Sequence, residues 1–119
     1  MKEVNINLKV SLDDNNVPGT IIWSSDDPPS NGKEADAKAF FLSIFDKKNL
    51  ETLKIDLWNT EFEVGEMNRM MYYTLKGMAD TFYRATNNNE MANDIARFAQ
   101  YFGEELGIVQ KDPPAEATK

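Results

Sequence analysis

The chain has 119 residues, 41% of them hydrophobic, 28% charged and 11% aromatic, which is the length and make-up of one ordinary globular domain able to build a core unaided. Lys and Arg number 13 against 20 Asp and Glu, and the resulting net charge of −7 disfavours nucleic acid and anionic membranes as partners. With no Cys and no His, the chain has no disulfide framework, thiol nucleophile, Ser-His-Asp triad, histidine base or imidazole metal site.

The opening Met1-Lys2-Glu3-Val4-Asn5 lacks the apolar core of a signal peptide. The most apolar window, Ala39 to Phe45, is seven residues long, far short of the roughly 20 that span a bilayer. A cytoplasmic protein without membrane insertion is therefore expected.

Residues 4–12 alternate, with Val4, Ile6, Leu8, Val10 and Leu12 on one side and Asn5, Asn7, Lys9 and Ser11 on the other, which predicts a strand buried on one face. Asp13 to Asn16, followed by Val17-Pro18-Gly19, is a turn, and Thr20 to Ser24 is a short second strand. The turn is not a calcium loop, since Val17 stands where a third oxygen ligand belongs and Ser24 where the twelfth-position Glu belongs. Ser25 to Gly32, with Pro28 and Pro29, reads as a surface loop. A third strand is predicted from about Ala37 to Asp46 and a fourth from about Glu51 to Trp58, joined as a hairpin.

Beyond Trp58 the period lengthens. Met67, Met70, Met71, Leu75, Met78, Phe82 and Ala85 form the stripe of an amphipathic helix over 64–85. Asn87-Asn88-Asn89 stops it and caps a second helix over 90–106, whose stripe is Met91, Ile95, Phe98 and Phe102 and whose end falls at Gly107. Phe98 and Phe102 are expected to be buried, with Phe98→Ala costing about 3–5 kcal/mol. Tyr72, Tyr73 and Tyr83 fall at or beyond the edge of the first stripe. The order β-β-β-β-α-α predicts an α+β fold: a four-stranded antiparallel sheet with two C-terminal helices packed on one face. A single domain over 1–109 and a loose tail over 110–119 complete the reading.

The third strand is apolar on both sides. With a four-residue hairpin loop, Ile44 pairs with Leu53, Leu42 with Ile55 and Phe40 with Leu57, giving one uniform face for the helices. The opposite face then sets Phe45 beside Thr52, Ser43 beside Lys54, Phe41 beside Asp56 and Ala39 beside Trp58. Two helices cover one face of such a sheet, not both, so these aromatics are either a contact surface or covered by the tail or the 25–32 loop. Phe41, Phe45, Trp58 and Asp56 are the candidate protein-contact residues. Asp56 with Glu61 or Glu63 reads as solvated charge rather than an acid–base pair, and no phosphate loop exists among the scattered glycines. No catalytic residue, metal or cofactor is expected.

Several segments together resemble one bacterial family. They are Leu12-Asp13-Asp14-Asn15-Asn16-Val17-Pro18, Ile22-Trp23, Ala37-Lys38-Ala39-Phe40, Ile55-Asp56-Leu57-Trp58, Val64-Gly65-Glu66-Met67, Thr74-Leu75, Met78 to Thr86, and Tyr101-Phe102. On these the chain resembles the gliding motility protein GldC family from about residue 4 to 108. It departs where the family usually has Pro (Glu63 here), Asp (Gly65 here) and a His near Tyr72. The resemblance implies a small protein associated with surface gliding and carries no catalytic residue or cofactor with it.

The resulting expectation is a non-enzymatic accessory of gliding motility or its linked secretion machinery. It would act by protein–protein interaction, with a protein partner or as a homo-oligomer, a dimer being the first guess. The alternative is a chaperone-like binder of exported clients, because four strands followed by two helices on an acidic chain is similar in topology to the export chaperone SecB.

Overall fold

A computed structural model describes residues 1–111, so residues 112–119, which hold most of the expected tail and Pro113-Pro114, lie outside the described residues. The chain is α+β and forms two compact units, the first Met1–Phe62 and the second beginning at Glu63.

The first unit holds five strands in two antiparallel sheets, in place of the single four-stranded sheet expected. Strands β1 (Ile6–Leu12), β2 (Pro18–Ser25) and β3 (Ala35–Ala37) form one, in that order. Strands β4 (Ala39–Phe45) and β5 (Thr52–Trp58) form the other. The expected third strand is thus divided at Lys38. β2 pairs with β3 only from Ile21 to Trp23. One residue later the Lys38 carbonyl accepts the Asn59 N–H at 2.9 Å, so Lys38 already belongs to the β4–β5 ladder.

Turn chemistry fixes the connections. Asp13 Oδ1 accepts from the N–H groups of Asn15 (2.8 Å) and Val17 (3.0 Å), with Asn16 at φ 63°, so the acidic start is an Asx turn. In the 25–33 loop, Ser30 is buried; its hydroxyl accepts from Ser25 N–H at 3.0 Å and donates to the Lys33 carbonyl at 2.5 Å.

The β4–β5 loop is closed by Asp46, whose Oδ2 accepts from Lys48 N–H (3.1 Å) and Asn49 N–H (2.6 Å). At its end Leu50 sits at φ 59° while 67% exposed. A Cβ next to the following carbonyl makes that conformation costly for Leu, by about 1–2 kcal/mol, and no burial offsets it. Leu50→Asn is therefore expected to raise stability by about 1 kcal/mol in chemical denaturation, because Asn tolerates the left-handed region. An unchanged or lower denaturation midpoint would show that the turn carries no such strain.

The second unit is a helical hairpin, α1 (Val64–Thr86) and α2 (Asn89–Glu105). Glu63 opens α1, its N–H bonded to Glu66 Oε1 at 3.0 Å. Asn87, at φ 60°, ends α1, and Asn88 Oδ1 caps α2 by accepting Met91 N–H at 3.0 Å. Gly107, at φ 74°, turns the chain back so that Ile108 and Val109 N–H both reach the Gly103 carbonyl.

The seam of this hairpin is not the one the large side chains suggest. Tyr72, Ala79, Ala92, Ala99 and Gly103 are the buried residues, and small residues let the two helices approach closely. Phe98 is 53% exposed and Phe102 only half-buried, which corrects the expectation that both are buried. Phe98→Ala should accordingly cost about 1 kcal/mol or less, in line with partial burial of one ring.

Candidate functional site

The β4–β5 ribbon carries the candidate contact residues. Its register is Phe45↔Thr52, Ile44↔Leu53, Ser43↔Lys54, Leu42↔Ile55, Phe41↔Asp56, Phe40↔Leu57 and Ala39↔Trp58, the pairing expected with a four-residue loop. On one face, Phe45 lies near the tip and Phe41 and Trp58 near the base. Between them runs a polar stitch: Lys54 Nζ donates to Ser43 Oγ at 3.1 Å and lies 3.3 Å from Asp56 Oδ1.

Exposure separates the candidates. Phe45 is 66% exposed and Trp58 50%, whereas Phe41 is half-buried. None of the three rings stacks on another aromatic among the described residues, where ring contacts join Tyr72 to Tyr73 and Phe98 to Tyr101 and Phe102. Asp56 serves Lys54, so it holds the polar stitch rather than a second carboxylate. The reverse face of the ribbon shows Ile44, Leu53 and Ile55, each about half exposed. Both faces of this ribbon therefore present apolar surface.

A polar cleft of about 280 Å³ opens at the corner where β3 gives way to β4, lined by Gly19, Thr20, Asp36, Lys38, Asn59 and Glu61, among others. Asn59 forms its wall and is 5% exposed. Its Nδ2 donates to the Gly19 carbonyl at 3.3 Å and its Oδ1 accepts Glu61 N–H at 3.1 Å. Sequence reasoning did not single out Asn59, because an Asn after a strand is an ordinary turn residue. The tyrosines divide: Tyr72 is buried, while Tyr73 and Tyr83 are exposed. Among the described residues no group of three or more His, Cys, Asp or Glu side chains is placed to hold a metal ion. Nor, among them, is any helix long and apolar enough to cross a membrane.

An α+β protein with an apolar two-stranded ribbon defines a class, and comparison narrows it. The model of the gliding motility-associated protein GldC-like family matches residues 18–108, and the chain belongs to that family. No curated protein and no solved structure matches the chain.

Proposed function

We propose that this protein is a non-enzymatic accessory of gliding motility or its linked secretion machinery. It works in the cytoplasm without a cofactor, binding a protein partner through the Phe45–Trp58 face of the β4–β5 ribbon. Family membership supports the association with gliding. The observation that carries the contact reading is that Phe45 and Trp58 are held in fixed register on one face and left half or more exposed. Exposed aromatics at both ends of a polar stitch on one face have the make-up of an interface, where Trp anchors dominate the binding energy.

The test is capture from a gliding bacterium that encodes this protein, with wild type compared against Phe45→Ser combined with Trp58→Ser. Both residues are exposed, so the fold should persist by circular dichroism, while recovery of a stoichiometric partner should fall at least tenfold. Undiminished recovery by a folded variant would remove this face from the function. Promiscuous capture of unfolded chains, in place of one folded partner, would favour the chaperone reading instead.

A further inference from the structure

We infer that β1 is the surface through which two copies of this chain pair, edge to edge and antiparallel, about a twofold axis at Ile6. This surface shares no residue with the ribbon face of the proposed function, so either can fail without the other.

The free edge of the three-stranded sheet is the starting point. Asp26 N–H reaches the Asn5 carbonyl at 3.1 Å and Asn5 N–H reaches Asp26 Oδ2 at 2.9 Å, so Asn5 turns its main-chain groups toward β2. The antiparallel ladder alternates, and so Asn7, Lys9 and Ser11 do the same, while Ile6, Leu8 and Val10 present N–H and C=O to the open side, with Val4 just ahead of the strand. The opposite edge is blunted, since β3 has three residues and ends at the Lys38 bend. β1 is blunted far less, by Lys9 and a register shift between Ser11 and Leu12. It is seven residues long, has no Pro and one charge, and stays regular up to Ser11.

The side chains then choose the partner and the register. Ile6 is 74% exposed, Val4 41% and Leu8 40%, an apolar row centred on Ile6. A twofold axis at Ile6 sets Ile6 against Ile6 and, with residues 3–5 extending β1 along the partner, Val4 against Leu8 of the second copy, each pair exchanging main-chain bonds. On the other side of the strand it sets Glu3 against Lys9 and Asn5 against Asn7. Shifting the axis to Leu8 sets Lys9 against Asn7 and pairs no charges within the strand, and shifting it to Lys9 opposes the two lysines, a like-charge pair. An axis at Asn7 matches no charges. The Ile6 register pairs opposite charges twice across the axis. Lys9 already lies 3.7 Å from Glu34, but both groups are well exposed, and an ammonium has donors for both carboxylates. The product is one six-stranded sheet with a continuous apolar face.

The native chain contains no cysteine, so single-cysteine variants report the register directly. Ile6→Cys should form a disulfide-linked dimer under mild oxidation, because opposed residues in such a pair stand about 5.5 Å apart, within the bridging range. Ser11→Cys, five positions from the axis and about 33 Å from its counterpart, should not. Light scattering of the full chain should give twice 13.6 kDa, and Ile6→Lys should halve that mass with an unchanged circular dichroism spectrum. Glu3→Lys should weaken the dimer, and adding Lys9→Glu should restore it. A monomeric wild type, a dimer indifferent to Ile6→Lys, or cross-linking at Ser11→Cys but not at Ile6→Cys would each overturn the inference.

Discussion

Gly103→Ala should destabilise the helical hairpin by about 2 kcal/mol, whereas Gly77→Ala should stabilise it by about 1 kcal/mol. The two glycines sit in helices and carry the same substitution, so propensity alone predicts a gain at each. Their surroundings differ. A Cβ on Gly103 would lie 2.6 Å and 2.7 Å from Tyr72 Cε1 and Cδ1, and 3.0 Å from Val109 Cγ2. Those ring carbons cannot swing away cheaply, because Tyr72 is 3% exposed and closely packed. At Gly77 nothing lies within 4 Å of the added carbon. Urea denaturation of the two variants decides the matter by sign. A gain at both positions would mean that the Tyr72–Gly103 contact is looser than described, and that the seam of the hairpin lies elsewhere.

Asn59→Ala is the second large effect expected, a loss of about 1–3 kcal/mol. The side chain satisfies the Gly19 carbonyl of β2 and the Glu61 N–H at once, and its removal strands both beside the cleft. Asn59→Asp separates the two bonds. The carboxylate still accepts from Glu61 N–H, but it faces the Gly19 carbonyl oxygen with a negative charge and no donor. Folding then favours the protonated acid, so the folded-state pKa of the new Asp rises above its unfolded value. The deficit of Asn59→Asp relative to wild type should be full at neutral pH and shrink as pH falls through that raised pKa. A deficit that does not change with pH would show that Asn59 Nδ2 does not donate to Gly19.

Legibility in the sequence followed how local the determining pattern was. The β4–β5 register could be read because Leu53, Ile55 and Leu57 must share a face with Leu42 and Ile44, and a four-residue loop then selects one of the alignments that lie two residues apart. The division at Lys38 could not, since Ala35, Ala37, Ala39 and Phe41 keep their alternation straight through it. What breaks the strand is a change of hydrogen-bond partner, from β2 to Asn59, that leaves no mark on side-chain period. In α2 two stripes share the same helical spacing. The large one, Met91, Ile95, Phe98 and Phe102, attracts attention, but Ala92, Ala99 and Gly103 supply the buried seam, and small residues announce nothing by hydropathy. At the ribbon, Phe45 and Trp58 were recognisable as a second apolar face. The degree to which Phe41 recedes from it depends on packing that no periodicity encodes.

The order of the strands also has a kinetic meaning. β1 meets β2, β2 meets β3, β4 meets β5 and α1 meets α2, so each pairing joins elements that follow one another in the chain. Little loop entropy is lost in closing such contacts, and hairpins of this kind form in about 1–10 μs. A ribosome adds only about 5–20 residues per second, so each hairpin has ample time to close before the next has emerged. The side-chain bond from Asn59 to Gly19 spans 40 residues and can form only after β5 has been made. Asn59 would then be the last stitch in the first unit, locking together strands that had already folded one pair at a time.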